Sequence, residues 1–129
     1  TGKIVVNDLY GAQVAGLSVA PSMIENQISG NLIMGTSRAL FEEVAFSKTN
    51  VTSLDWVTYP ILRFADHPNV HYLVVQRTDL QPTGSGEPPQ ASVAAAIANA
   101  FFDATGVRLY EAPMTAARNR AALKAAGVA

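Results

Sequence analysis

Apolar positions recur with a helical period in two long stretches of the chain. Across residues 21–44, Ile24, Ile28, Leu32, Gly35 and Ala39 follow one another at spacings of four, four, three and four, the stripe of one helix face. Pro21 and the nearby Glu25 suit a helix start, where a missing N–H is harmless and a carboxylate meets the positive end of the dipole. Gly30 and Gly35 each cost about 1 kcal/mol relative to Ala inside a helix, which predicts close packing there against another backbone or a ligand. In the second stretch Val93, Ala96, Ile97, Ala100, Phe101 and Ala104 fit the i, i+3, i+4, i+7, i+8, i+11 pattern, and Gly106 ends it. Thr115 is placed to cap a final Ala-rich helix bearing Arg118, Arg120 and Lys124.

Between these helices the pattern changes to short β-branched runs. Residues 3–10 and 70–77 read as strands, 57–64 as a short strand interrupted by Pro60, and 107–110 as another short strand. Residues 11–19 read as a small-residue loop, and 80–89 as a Gly/Pro loop. The order strand–long helix–strand, then strand–helix–strand, predicts an α+β fold with two β-α-β units around a mixed sheet. No linker divides the chain, so residues 1–129 are expected to form one domain.

Composition narrows the function classes. Of the 129 residues 49% are hydrophobic and only 15% charged, a globular balance. The net charge is −1 with no basic block, which argues against nucleic acid as the main partner. No cysteine is present, so disulfides, thiolate metal sites and thiol nucleophiles are excluded. No apolar run reaches the roughly 18 residues of a membrane span. The chain opens Thr1-Gly2-Lys3 directly before Ile4-Val5-Val6, and so reads as a piece of a longer polypeptide. Any targeting segment would then lie upstream, so the compartment is left open.

Candidate chemistry concentrates in Thr83-Gly84-Ser85-Gly86-Glu87-Pro88-Pro89. Gly84 and Gly86 permit unusual backbone angles and close approach of a ligand. Pro88 is expected to push Glu87 into an extended conformation at the mouth of the next helix. A carboxylate so constrained suits a general base, although an acid at a helix start is also an ordinary stabilising feature. Ser85 lacks the frame of a nucleophile elbow, and no Walker lysine follows the glycines. Gln27 lies one turn before Gly30; its amide can donate and accept at once, yet from position alone an exposed helix glutamine is the favoured account. His67 and His71 are four apart but separated by Pro68-Asn69, a turn and not a helical metal pair.

Two segments together resemble the molybdenum hydroxylases, the xanthine dehydrogenase and aldehyde oxidase family, in their molybdopterin-binding large subunit. The first is Ile24-Glu25-Asn26-Gln27-Ile28-Ser29-Gly30 with Met34-Gly35 and Leu40-Phe41-Glu42-Glu43. The second is Gly84-Ser85-Gly86-Glu87-Pro88-Pro89 with Ala95-Ala96-Ile97-Ala98-Asn99-Ala100 and Asp103-Ala104-Thr105-Gly106-Val107-Arg108. Ser53-Leu54-Asp55-Trp56-Val57 and Tyr59-Pro60-Ile61-Leu62-Arg63-Phe64 look most like the bacterial isoquinoline 1-oxidoreductase branch, beta-subunit type. Two departures are Val19-Ala20-Pro21 in place of Val-Asn-Pro and Met114-Thr115-Ala116 in place of the usual Thr-Pro.

The resemblance implies hydroxylation of an N-heteroaromatic or aldehyde substrate, with water as the oxygen source. It implies that Glu87 is the active-site base and that Gln27 hydrogen-bonds molybdopterin. Gly84, Ser85 and Gly86 would be backbone neighbours of the metal's ligand sphere. It further implies a molybdenum cofactor in cytosine dinucleotide form, and electron exit through 2Fe–2S clusters in a partner subunit. The chain would be a C-terminal piece of the large subunit, inactive alone because other cofactor-binding loops lie upstream in the family. A non-catalytic split subunit that completes another chain's site is the alternative.

Overall fold

The computed structural model describes residues 1–128. Its elements are β1 (Asp8–Val14), α1 (Pro21–Leu40), a 3-10 turn (Phe64–Asp66), β2 (Asn69–Val75), a second 3-10 turn (Pro88–Ser92), α2 (Val93–Thr105) and α3 (Ala116–Ala125). β1 and β2 pair in parallel, from Asp8 opposite Asn69 to Val14 opposite Val75. Parallel neighbours need a crossover connection, and α1 lies on it.

The stripe expected on α1 is the buried one: Ile24, Ile28, Leu32, Gly35 and Ala39 all face the core, with Ile28 wholly inaccessible. Glycine brings the layers together at two points. A Cβ on Gly11 of β1 would lie 2.9 Å from Leu32 Cδ1, and one on Gly35 would lie 2.8 Å from Val93 Cβ. Leu9, Leu40, Val93, Ile97 and Met114 complete the core. α2 ends at Gly106, whose φ of 72° is the left-handed cap expected there. Thr115 caps α3 by accepting from the Arg118 N–H. Buried Asn119 then donates to the carbonyls of Gly2 and Met114, both at 2.9 Å, and fastens α3 to the N-terminal arm.

Several expectations are corrected. Among the described residues the chain forms one β-α-β unit and a two-stranded parallel sheet, not two units around a mixed sheet. β1 runs Asp8–Val14, not residues 3–10, and takes in residues 11–14 that were expected as loop, because the parallel register with β2 selects which residues pair. Residues 57–64 are not a strand. The Asp55 carboxylate accepts from the Val57 and Thr58 N–H groups at 3.0 and 2.8 Å, occupying donors a ladder would need. Residues 107–110 have strand-like composition but no pairing partner among the described residues. α1 stops at Leu40, where the Phe41 and Glu42 N–H groups both turn back to the Ser37 carbonyl. Glu25 falls beyond the first turn of α1. Among the described residues no helix is long and apolar enough to cross a membrane.

Candidate active site

The Gly-Ser-Gly-Glu loop runs between two backbone anchors. Thr83 N–H donates to the Ala15 carbonyl beyond β1, and Gln90 N–H donates to the Glu87 carbonyl, each at 3.0 Å. The second bond closes the 3-10 turn that leads into α2. It holds Glu87 at φ −94°, ψ −18°, in the helical region and not in the extended one expected before Pro88. The preference set by the proline ring is modest, and the turn overrides it.

Glycine at 84 and 86 is not explained by backbone angles. The glycines with positive φ are Gly2, Gly16, Gly106 and Gly127. A Cβ added at Gly84, Gly86 or Gly30 would meet nothing within 4 Å. All three positions therefore leave bare backbone against open space, unlike Gly35, which is filled by Val93.

One side chain brings the two candidate segments together. Asn31, on α1 and only 3% exposed, donates through Nδ2 to the Gln27 carbonyl at 2.7 Å and to the Gly86 carbonyl at 2.5 Å. Gln27 and Glu87, sixty residues apart in the chain, thus sit on either side of a shared amide. Both side chains are exposed, and the Glu87 carboxylate forms no hydrogen bond or ion pair among the described residues. Ser85 is half-buried beside them. Asn31 was not singled out from the sequence. Its signal was available: a polar residue three positions after Ile28 and next to Leu32, on the side of the helix that faces the core.

Other ionisable groups have separate partners. Hydrogen bonds from Arg118, aided by its charge, hold Glu43 below the usual carboxylate range. The Thr58 backbone N–H, chief among several donors, does the same for Asp55. A hydrogen bond to Glu42 raises Tyr59. His71 stacks on Tyr10 and contacts Asp8 at 2.9 Å, while His67 follows the turn before β2. Among the described residues no group of three or more His, Asp or Glu side chains is arranged to hold a metal. An apolar groove of about 730 Å³ lies away from Glu87, between residues 2–10 and the Ala96, Ala100 and Ala104 side of α2.

The fold is shared with segments of two solved oxidoreductases. The chain superposes on Cu,Mo-CO dehydrogenase with a TM-score of 0.77 at 19% identity, covering 92% of this chain and 16% of that one. Quinoline 2-oxidoreductase from Pseudomonas putida 86 gives 0.74 at 20% identity, again over 92% of this chain and 16% of the other. No family model matches the chain.

Sequence relatives are more specific. Over 127 residues the chain is 45% identical to one subunit of the nicotinate dehydrogenase of Pseudomonas putida, covering 98% of this chain and 11% of that protein. It is 32% identical over 109 residues to the beta subunit of isoquinoline 1-oxidoreductase from Brevundimonas diminuta, covering 84% and 14%. With the aldehyde oxidoreductase molybdenum-binding subunit PaoC of Escherichia coli it shares 31% over 122 residues, covering 89% and 17%. The resemblance to the molybdenum hydroxylase family is thereby borne out, and the chain matches a segment of its large subunits. It spans between about a tenth and a sixth of the length of these relatives.

Proposed function

We propose that the chain is the C-terminal cofactor-binding part of a molybdenum hydroxylase large subunit and that Glu87 is its general base. The observation that carries this reading is the junction at Asn31, which sets Gln27 of α1 beside the Gly84–Glu87 loop. The residues present fit a molybdopterin group, and its cytosine dinucleotide form is part of the proposal. Gly30, Gly84 and Gly86 leave open space where side chains would otherwise intrude, and the exposed Gln27 amide has donors and an acceptor free for a polar edge. When bound, the molybdenum cofactor supplies a two-electron oxidant.

The residues of this chain then have distinct tasks. The Glu87 side chain has no hydrogen-bond or ionic partner among the described residues, so its carboxylate would be available to hold the proton that water gives up when its oxygen replaces hydrogen on the substrate carbon, the two electrons of the broken C–H bond going to that oxidant. Gln27 orients the cofactor from the helix side, while Gly84, Ser85 and Gly86 offer backbone groups at close range. The 45% relative favours an N-heteroaromatic substrate over an aldehyde. A small 2Fe–2S subunit would receive the electrons.

The open faces support a larger subunit around this piece. Parallel sheets are normally covered on both sides, yet Tyr10, Val14 and Leu73 on the face away from α1 are 76%, 54% and 60% exposed. Only Val93 and Ile97 of the expected α2 stripe are buried; Ala96, Ala100 and Ala104 remain exposed along the groove. The rest of the large subunit would cover both. Such a piece by itself would not turn over substrate.

Glu87→Gln in the holoenzyme tests the central assignment. Turnover of an N-heteroaromatic substrate is expected to fall by about 10²–10⁴-fold, with molybdenum content unchanged. Near-normal turnover would sink it.

A further inference from the structure

We infer that Asn31 is the positioning residue for Glu87, an inference that rests on the base assignment above. Apart from Asn31, no hydrogen bond from elsewhere in the described chain reaches residues 84–86. The nearest anchors are Thr83 N–H on one side and the local turn closed by Gln90 on the other. Two glycines make the intervening backbone free to rotate, so without Asn31 the peptide leading into Glu87 would be held only from its far side, by the turn that Gln90 closes. Asn31 answers this from a rigid place. It sits in the second half of its helix's buried face, spends both amide hydrogens, and fixes the carbonyl immediately before Glu87.

The geometry also explains why an amide stands among apolar neighbours. A buried Asn without partners would be costly, whereas this one bridges a helix carbonyl and a loop carbonyl. Because the Gln27 carbonyl is one of the two, the same side chain sets the spacing between the cofactor-facing helix turn and the base. A displacement of about 1 Å in a reacting group is enough to cost about a hundredfold in rate.

The test uses the holoenzyme with Asn31→Ala and the nearly isosteric Asn31→Leu. For each, kcat, KM, molybdenum content and deuterium uptake of the peptide spanning residues 84–87 are measured beside wild type and Glu87→Gln. The expected result is a kcat lower by about 10- to 100-fold, KM within about twofold, full molybdenum content and faster exchange in the loop. Unchanged kcat and exchange in a loaded variant would overturn the inference. So would a loss of kcat that tracks loss of molybdenum, since Asn31 would then retain cofactor and not position the base. Failure of both variants to accumulate would make Asn31 a folding residue and overturn it as well. Near-normal turnover in Glu87→Gln marks the other failure: the base assignment falls and takes the positioning role with it. An inactive Glu87→Gln beside a fully active Asn31→Ala removes the positioning role alone.

Discussion

Gly35→Ala should destabilise the protein even though Ala is the better helix former. The new Cβ would lie 2.8 Å from both Val93 Cβ and Cγ2 and 3.1 Å from Cγ1. Carbon atoms prefer about 3.5–4.0 Å, so α1 and α2 must separate by about 0.7 Å. Val93 is 1% exposed and has nowhere to retreat. Overpacking of this kind costs about 2 kcal/mol, offset by about 1 kcal/mol of helix propensity, for a net loss near 1 kcal/mol. Val93→Ala removes two buried methyls at about 0.8 kcal/mol each and opens the same space. The two changes should therefore compensate, with a favourable coupling of about 1–2 kcal/mol in the double variant. Urea titrations of wild type, both single variants and the double variant measure all four corners. A Gly35→Ala protein at least as stable as wild type, with effects additive within about 0.5 kcal/mol, would refute the account of this helix crossing.

The contrasting glycine is Gly30, where an added Cβ meets nothing. Gly30→Ala should raise stability by about 1 kcal/mol in urea titrations, and in the holoenzyme should lower molybdenum content if it crowds the side of α1 proposed to face the cofactor. On the surface, Glu43 is bound by Arg118 at 2.7 Å, and its carboxyl lies below the ordinary 4.5. A folded value below the unfolded one means that the pair stabilises above the ordinary value and loses that contribution as pH falls through the lowered one. The Tm difference between wild type and Glu43→Gln should be small, as for exposed pairs generally. It should be largest near neutral pH and should close as the protein is acidified; a difference that widens in acid would contradict the assignment.

Much of the helical structure was legible because its determinants are local. Apolar spacing located the buried stripe of α1, and Gly106 and Thr115 marked helix ends without reference to any distant residue. The Gly-Ser-Gly-Glu-Pro-Pro segment and Gln27 were likewise visible as short patterns, and they led to a family that the relatives bear out. The α2 stripe was correct in period but only partly covered, since burial depends on what else packs against it.

Strands and the arrangement of the site required the fold. The register that starts β1 at Asp8 comes from a partner more than sixty residues away, and β-rich composition alone could not say that residues 57–64 and 107–110 lack one. The Glu87 backbone followed the turn closed by Gln90 and not the preference imposed by Pro88. Asn31 is the clearest case. Its side chain could be read as a polar residue on a core-facing surface, but the Gly86 carbonyl that it satisfies lies 55 residues downstream. The sequence by itself determined which groups are the candidates for chemistry, because residue identity and helical period are local properties. Tertiary structure decided how they meet, because a hydrogen bond across the fold exists only once both elements are packed.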